Sequence, residues 1–266
     1  MSLSAGTVEY IMDSNPVTGR GVSYTSEELE EALIGSVCEI VFDKEGISKL
    51  ASLMRSVSET DFNQDEIKKI LEINYEPENW RVGEALAEVY LIHHRSCKFP
   101  WPDGRDERKS GSSLPGADLV GFQQKGEKER FAFGEIKTSS EVKYPPGAMY
   151  GETGLKIQLE DLQDKVSIRN DLVKYLGHRA VNASWQGHYI NACKRYLADN
   201  ADVQLFGLLI RDVAPHKDDL RVRVSKMKES CPTKMSIELI AVYLPLGSIK
   251  KLSQKVIAAR KGDNGT

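Results

Sequence analysis

The sequence predicts an α/β fold with a central mixed sheet flanked by helices, and three observations carry that expectation. Two short runs of strand composition, 117–123 and 130–137, face each other across a glycine-containing turn. Two apolar runs, 203–211 and 237–244, read as buried strands. Helical patterns over 81–94, 155–177 and 186–199 alternate with these strands, which is the arrangement that lays helices on a sheet.

The N-terminal 80 residues read as a mainly helical extension. Ser26 caps an acidic first turn, 46–56 and 64–74 repeat the helical spacing, and 36–42 alternates as a strand. The first strongly patterned helix covers 81–94, where Val82, Ala85, Leu86, Val89 and Ile92 form one stripe, and it opens the core, 81–266. A Pro-, Gly- and charge-rich loop over 98–115 leads into the paired strand runs. A basic, helical stretch separates the last two strands. No repeat or low-complexity tract interrupts the 266 residues, so one compact unit is expected.

Composition narrows the chemistry. Four widely spaced cysteines, Cys38, Cys97, Cys193 and Cys231, form no CxxC pair, which argues against a zinc site or a disulfide framework and for a reducing cytoplasm. The N-terminus lacks a signal-like apolar run, and the longest apolar stretch, 205–210, is too short to span a bilayer, so a soluble cytoplasmic protein is expected. The net charge of −3 hides an asymmetry: residues 1–80 carry 16 acidic and 6 basic side chains, whereas residues 211–261 carry 5 and 12. A basic C-terminal part permits local phosphate contact in a mildly acidic protein.

The turn is where chemistry concentrates. Gly126 stands first in the two-residue loop Gly126-Glu127, as a type II′ turn requires, and this register pairs Val120 with Phe133, Phe122 with Phe131, and Asp118 with Glu135. Alternation then puts Lys137 on the face of Glu135 and turns Ile136 away. Two carboxylates opposed at the edge of an apolar surface repel and are costly to desolvate, and a hard divalent cation resolves both problems. Mg²⁺ or Mn²⁺ is the expected cofactor, using one or two carboxylates together with substrate phosphate oxygens. An exposed Glu–Lys ion pair, worth under about 1 kcal/mol, is the alternative meaning of the Glu-Ile-Lys tripeptide.

With these residues in place, Pro115-Gly-Ala-Asp118-Leu-Val-Gly followed by Phe133-Gly-Glu135-Ile-Lys137 resembles the core of the PD-(D/E)XK nucleases over roughly residues 81–245. The family's proline directly precedes the aspartate, whereas Ala117 fills that place here. The resemblance implies a restriction-endonuclease-like core, Asp118 and Glu135 as metal ligands, Ile136 as part of the metal site, and Lys137 as the water-orienting lysine. It also implies an acid on the preceding helix, for which Glu84 and Glu88 both qualify, and a helper glutamine, for which Gln158 and Gln163 do. Together with the helical extension and the Gly-Glu-x-Leu-Ala-Glu helix, the chain is similar to the nuclease subunits of Hachiman-type antiphage defence. That similarity implies DNA as substrate and a helicase protein as partner.

Candidate nucleic-acid contacts lie outside this set: Arg105, Arg108 and Lys109 in the loop before Asp118, and Arg221 and Arg223, with Lys226 and Lys228, in the basic run. His93, His94, Arg95 and Lys98 near one helix end, and Lys143, Tyr144, Trp185, His188 and Tyr189, add bases and aromatics. The expected function is metal-dependent hydrolysis of DNA phosphodiester bonds, in antiviral defence beside a helicase. The alternative is a non-catalytic nuclease-fold scaffold or regulatory subunit binding nucleic acid or a protein.

Overall fold

A computed structural model describes residues 3–57, 61–71, 76–102, 105–106 and 116–263. Among them, seven strands form one mixed sheet. Strands β1 (Thr7–Met12) and β2 (Val17–Ser23) precede helices α1 (Ser26–Ala32), α2 (Cys38–Val41), α3 (Lys44–Ser56), α4 (Asp61–Leu71) and α5 (Asn79–Arg95). Then come β3 (Cys97–Lys98), β4 (Leu119–Lys125), β5 (Lys128–Ser139), α6 (Leu155–Asp164), α7 (Val166–Ala180), α8 (Gln186–Ala198), β6 (Val203–Arg211), α9 (Arg221–Ser230), β7 (Ser236–Tyr243) and α10 (Leu252–Asp263). The order across the sheet is β1-β2-β7-β6-β5-β4-β3. The β5-β6-β7-β2 centre is parallel, and both flanks are antiparallel.

The parallel centre explains why β6 reads as an unbroken apolar run: all nine of its residues are buried, because helices cover both faces. One face packs Ala132, Ile136, Phe206, Leu208 and Ile240 against α5 and α10. The other packs Val120, Phe122, Phe131, Phe133, Leu205 and Leu209 under α6, α7 and α8. Gly207 is needed in that second layer, since a Cβ there would sit 2.5 Å from Leu159 and 2.7 Å from Leu239.

Three expectations need correction. Residues 36–41 are helical, a π-helical turn Leu33–Val37 running into α2 with Phe42 as its cap, because Val37, Cys38, Val41 and Phe42 pack inward and tertiary burial outweighs their β propensity. Residues 155–177 are two helices, broken at Lys165, whose backbone is extended. The segment read as an N-terminal extension also supplies two unforeseen strands, and β2 pairs along its whole length with β7, from Val17–Ile237 to Ser23–Tyr243. The acidic N-terminal part and the basic C-terminal part meet directly, through an ion pair between Lys255 and Glu30.

Helix α5 approaches β5 most closely at Gly83, where a Cβ would come within 2.3 Å of the Thr138 hydroxyl. Adding a branched side chain there forces the helix that carries Glu84 away from the strand that carries Lys137. Gly83→Val is therefore expected to cost about 1–3 kcal/mol of stability, read as a lowered midpoint in urea, and to weaken divalent-cation affinity at the same time.

Candidate active site

The hairpin between β4 and β5 has the register read from its turn. Lys125 pairs with Lys128 around the Gly126-Glu127 loop, Val120 faces Phe133, and Phe122 faces Phe131. Gly126 has φ +61° and Glu127 has no positive φ, which matches type II′ geometry. The ladder ends at Leu119–Gly134, and one residue further Asp118 leaves the strand and bends its side chain across: its Oδ2 accepts from the Ile136 N–H at 2.7 Å. The carboxylate thus occupies a place that a strand carbonyl would otherwise take, and its charge acts on the neighbouring Glu135 carboxyl group.

Glu135 is only 2% exposed. Its Oε2 has no hydrogen-bond partner, and the Lys137 ammonium stands 3.8 Å away. Ile136 belongs to the opposite core cluster under α5, so only its main chain faces this site. From α5, Glu84 joins the group, held by Arg81 at 3.4 Å. Burial first, and the neighbouring Asp118 charge second, push Glu135 up to about 9 and Glu84 up to about 8. Burial also raises Asp118, against the pull of Lys137 and of the Ile136 N–H. Three acidic side chains that raise one another's carboxyl groups thus gather in a buried place, and one oxygen of Glu135 is left without a hydrogen bond. Among the described residues no group of three or more His, Cys, Asp or Glu side chains could hold a metal ion. Asp118 and Glu135 are the residues here that could hold a hard cation, with water and phosphate oxygens in its remaining positions.

Of the two acids on α5, Glu84 is the one whose charge reaches Glu135 and whose carboxyl group is raised by burial and then by the Asp118 charge. Glu88 is 8% exposed and lies one turn further along, on the wall of a cavity of about 450 Å³ that also takes in Glu84 and Asp118. Glu135 and Lys137 do not line that cavity and touch it through Asp118. Arg81 was not singled out from the sequence; its spacing from Glu84 reads as an ordinary helix-surface pair, and only the fold shows its charge acting on Asp118.

The basic candidates are largely committed elsewhere. Arg105 grips Asp43 with two hydrogen bonds of 2.7 Å and lies over the Trp101 ring. Arg108 and Lys109 lie outside the described residues. Arg223, expected as a phosphate contact, is 5% exposed and paired with Glu160, because the α9 face that buries Val224 and Met227 takes its stem inward as well. Arg221 is exposed and bonded to Asp218 at 2.6 Å, while Lys226 pairs with Glu229 and Lys228 with Ser14. None of these four lines the cavity.

The remaining candidates take structural places. Arg95 forms an ion pair with Glu238, and a nitrogen of His94 bonds the Ser4 carbonyl. His188 sits between Glu129 and Lys98, and Tyr144 donates to the Ala214 carbonyl. Trp185 and Tyr189 pack on Phe122 and Phe131. The Gln163 amide donates to Ser230, while the Gln158 carbonyl oxygen is buried without a hydrogen bond.

The raised carboxyl groups make stability depend on pH. The folded protein keeps protons on Glu135 and Glu84 that the unfolded chain releases above about 4.5. The native state therefore binds more protons between about pH 4.5 and the folded values near 8 and 9. Metal-free stability is expected to fall as pH rises through that window. Urea midpoints across pH should show the slope, Glu135→Gln should flatten it, and saturating Mg²⁺ should remove it with measurable proton release.

The chain matches no protein-family model and no curated protein.

Proposed function

We propose that this protein is a metal-dependent deoxyribonuclease with a restriction-endonuclease-like core of the PD-(D/E)XK type, hydrolysing DNA phosphodiester bonds. The observation that carries the reading is the meeting of Asp118 and Glu135 at the point where the hairpin opens, with Lys137 beside them and Glu84 supplied by α5. Bound Mg²⁺ or Mn²⁺ would polarise the scissile phosphate and lower the cost of ionising an attacking water.

The chain's own residues do the rest. Asp118 is held in place by the Ile136 N–H and stays oriented whether or not it carries charge. Lys137, on the same face of β5 as Glu135, donates to the attacking water or to a non-bridging phosphate oxygen and offsets negative charge as it builds. The water oxygen bonds to phosphorus as the bond to the sugar oxygen breaks, leaving one phosphate monoester and one hydroxyl end. Arg81 pairs with Glu84 at 3.4 Å, and its charge favours the ionised form of Asp118.

Antiphage defence beside a helicase is the biological setting we propose, on the sequence resemblance. The first test is DNA, both single-stranded oligonucleotide and plasmid, with the purified chain in Mg²⁺ or Mn²⁺, with and without EDTA, and with a helicase partner once one is identified. Metal-dependent, EDTA-sensitive cutting is the expected result. Intact DNA of both kinds in every lane, together with no heat of Mg²⁺ binding, would favour the scaffold alternative.

A further inference from the structure

We infer that the cavity beside Asp118 receives one unpaired nucleotide, so that the preferred substrate is single-stranded DNA or a frayed end and not intact duplex. The inference rests on the nuclease reading and specifies its substrate.

The lining combines the acids Glu84, Glu88 and Asp118 and the basic Arg81 and Arg105 with apolar side chains, Ile47 and Leu50 of α3 and Phe99 after β3. The acids are where a cation and a phosphate belong, and the apolar residues are a surface for a base. At about 450 Å³ the cavity is near the lower end of the roughly 300–1,000 Å³ range of small-ligand sites, room for one nucleotide and not for a stacked pair. Bases inside a duplex are unreachable to such a pocket unless they leave the stack, which costs least in a single strand. A π-face exists on every base, so an aliphatic and aromatic wall accepts all four.

The apolar wall is also tied down. Asp43 caps α3 and holds Arg105 with two 2.7 Å bonds, and Arg105 lies over Trp101. The next residue, Asp106, collects hydrogen bonds from the Trp101 ring N–H, the Tyr175 hydroxyl and Arg179. This chain of contacts fastens the start of α3 to α7.

The test uses the full chain with Mg²⁺, and with Ca²⁺ for binding, on a labelled oligonucleotide alone or annealed to its complement, and on closed circular duplex. Single strands should be cut at least about tenfold faster and bound correspondingly more tightly. Leu50→Glu, at a position 43% exposed, should weaken single-strand binding about tenfold while leaving Mg²⁺ affinity and the melting temperature unchanged. Closed duplex cut or bound as well as single strands overturns the inference, as does single-strand binding indifferent to Leu50→Glu. If no nucleic acid is cut but single strands are still bound preferentially and lose that preference in Leu50→Glu, the pocket assignment stands and the nuclease reading falls.

Discussion

Lys137→Ala is expected to lower the rate of DNA cleavage by on the order of 10²-fold or more while leaving divalent-cation binding intact. The lysine sits 3.8 Å from Glu135 and contributes a positive charge but no ligand. Removing it leaves both carboxylates in place and takes away a competitor for them, so Mg²⁺ affinity should hold or rise. Glu135→Ala differs, because it deletes a donor whose Oε2 has no other hydrogen-bond partner, so metal affinity and cleavage fall together. It should not unfold the protein, since it relieves a buried acid crowded by Asp118 and Glu84. Asp118→Ala is a different kind of variant, for it also strips the Ile136 N–H of its acceptor, and some stability is lost with it. Asp118→Asn keeps an oxygen for that N–H and is the cleaner probe of metal binding. Cleavage rates beside calorimetric Mg²⁺ titrations on these variants separate ligand from charge. Wild-type rates in both Lys137→Ala and Glu135→Ala would remove this site from the reaction.

What could be read from the sequence was what local rules control. The two-residue turn at Gly126-Glu127 fixes the pairing of β4 with β5, and from that pairing follow the meeting of Asp118 with Glu135 and the turning away of Ile136. The apolar run of β6 was equally legible, since both of its faces are buried. Long-range pairing was not. Nothing within residues 7–23 says that β2 will lie parallel to β7, more than two hundred residues away in the chain, although the alternation of Val8, Tyr10 and Met12 before Asn15-Pro16 marks a strand and a turn. Deleting residues 1–60 would expose the edge of β7 and is expected to destabilise the whole sheet. The choice between Glu84 and Glu88 was likewise closed to sequence, because it depends on how α5 is rotated against β5 at Gly83. Arg223 was misread because a basic run is solvated only where the helix face points outward, and part of α9 points in.

The largest loss of stability is expected not at the candidate active site but at the far end of the same strands. Arg211 ends β6 with its side chain fully buried, paired at 3.3 Å with the equally buried Asp219. Its two terminal nitrogens donate to the carbonyls of Ser139, at the end of β5, and of Lys143, in the loop beyond, at 3.0 and 2.9 Å. Asp219 in turn accepts from Tyr243 at the end of β7. One guanidinium thus joins three strand ends and the segment that leaves the strand bearing Glu135 and Lys137. Arg211→Ala strands a buried carboxylate and two carbonyls in a site too tight to hydrate them freely, and should cost about 3–5 kcal/mol. Arg211→Lys should recover only part, because a single ammonium cannot span both carbonyls and the carboxylate. Asp219→Asn in the Arg211→Ala background should return some stability by removing the uncompensated charge. Urea midpoints for the single and double variants test this, and additive losses would show that Arg211 and Asp219 act separately.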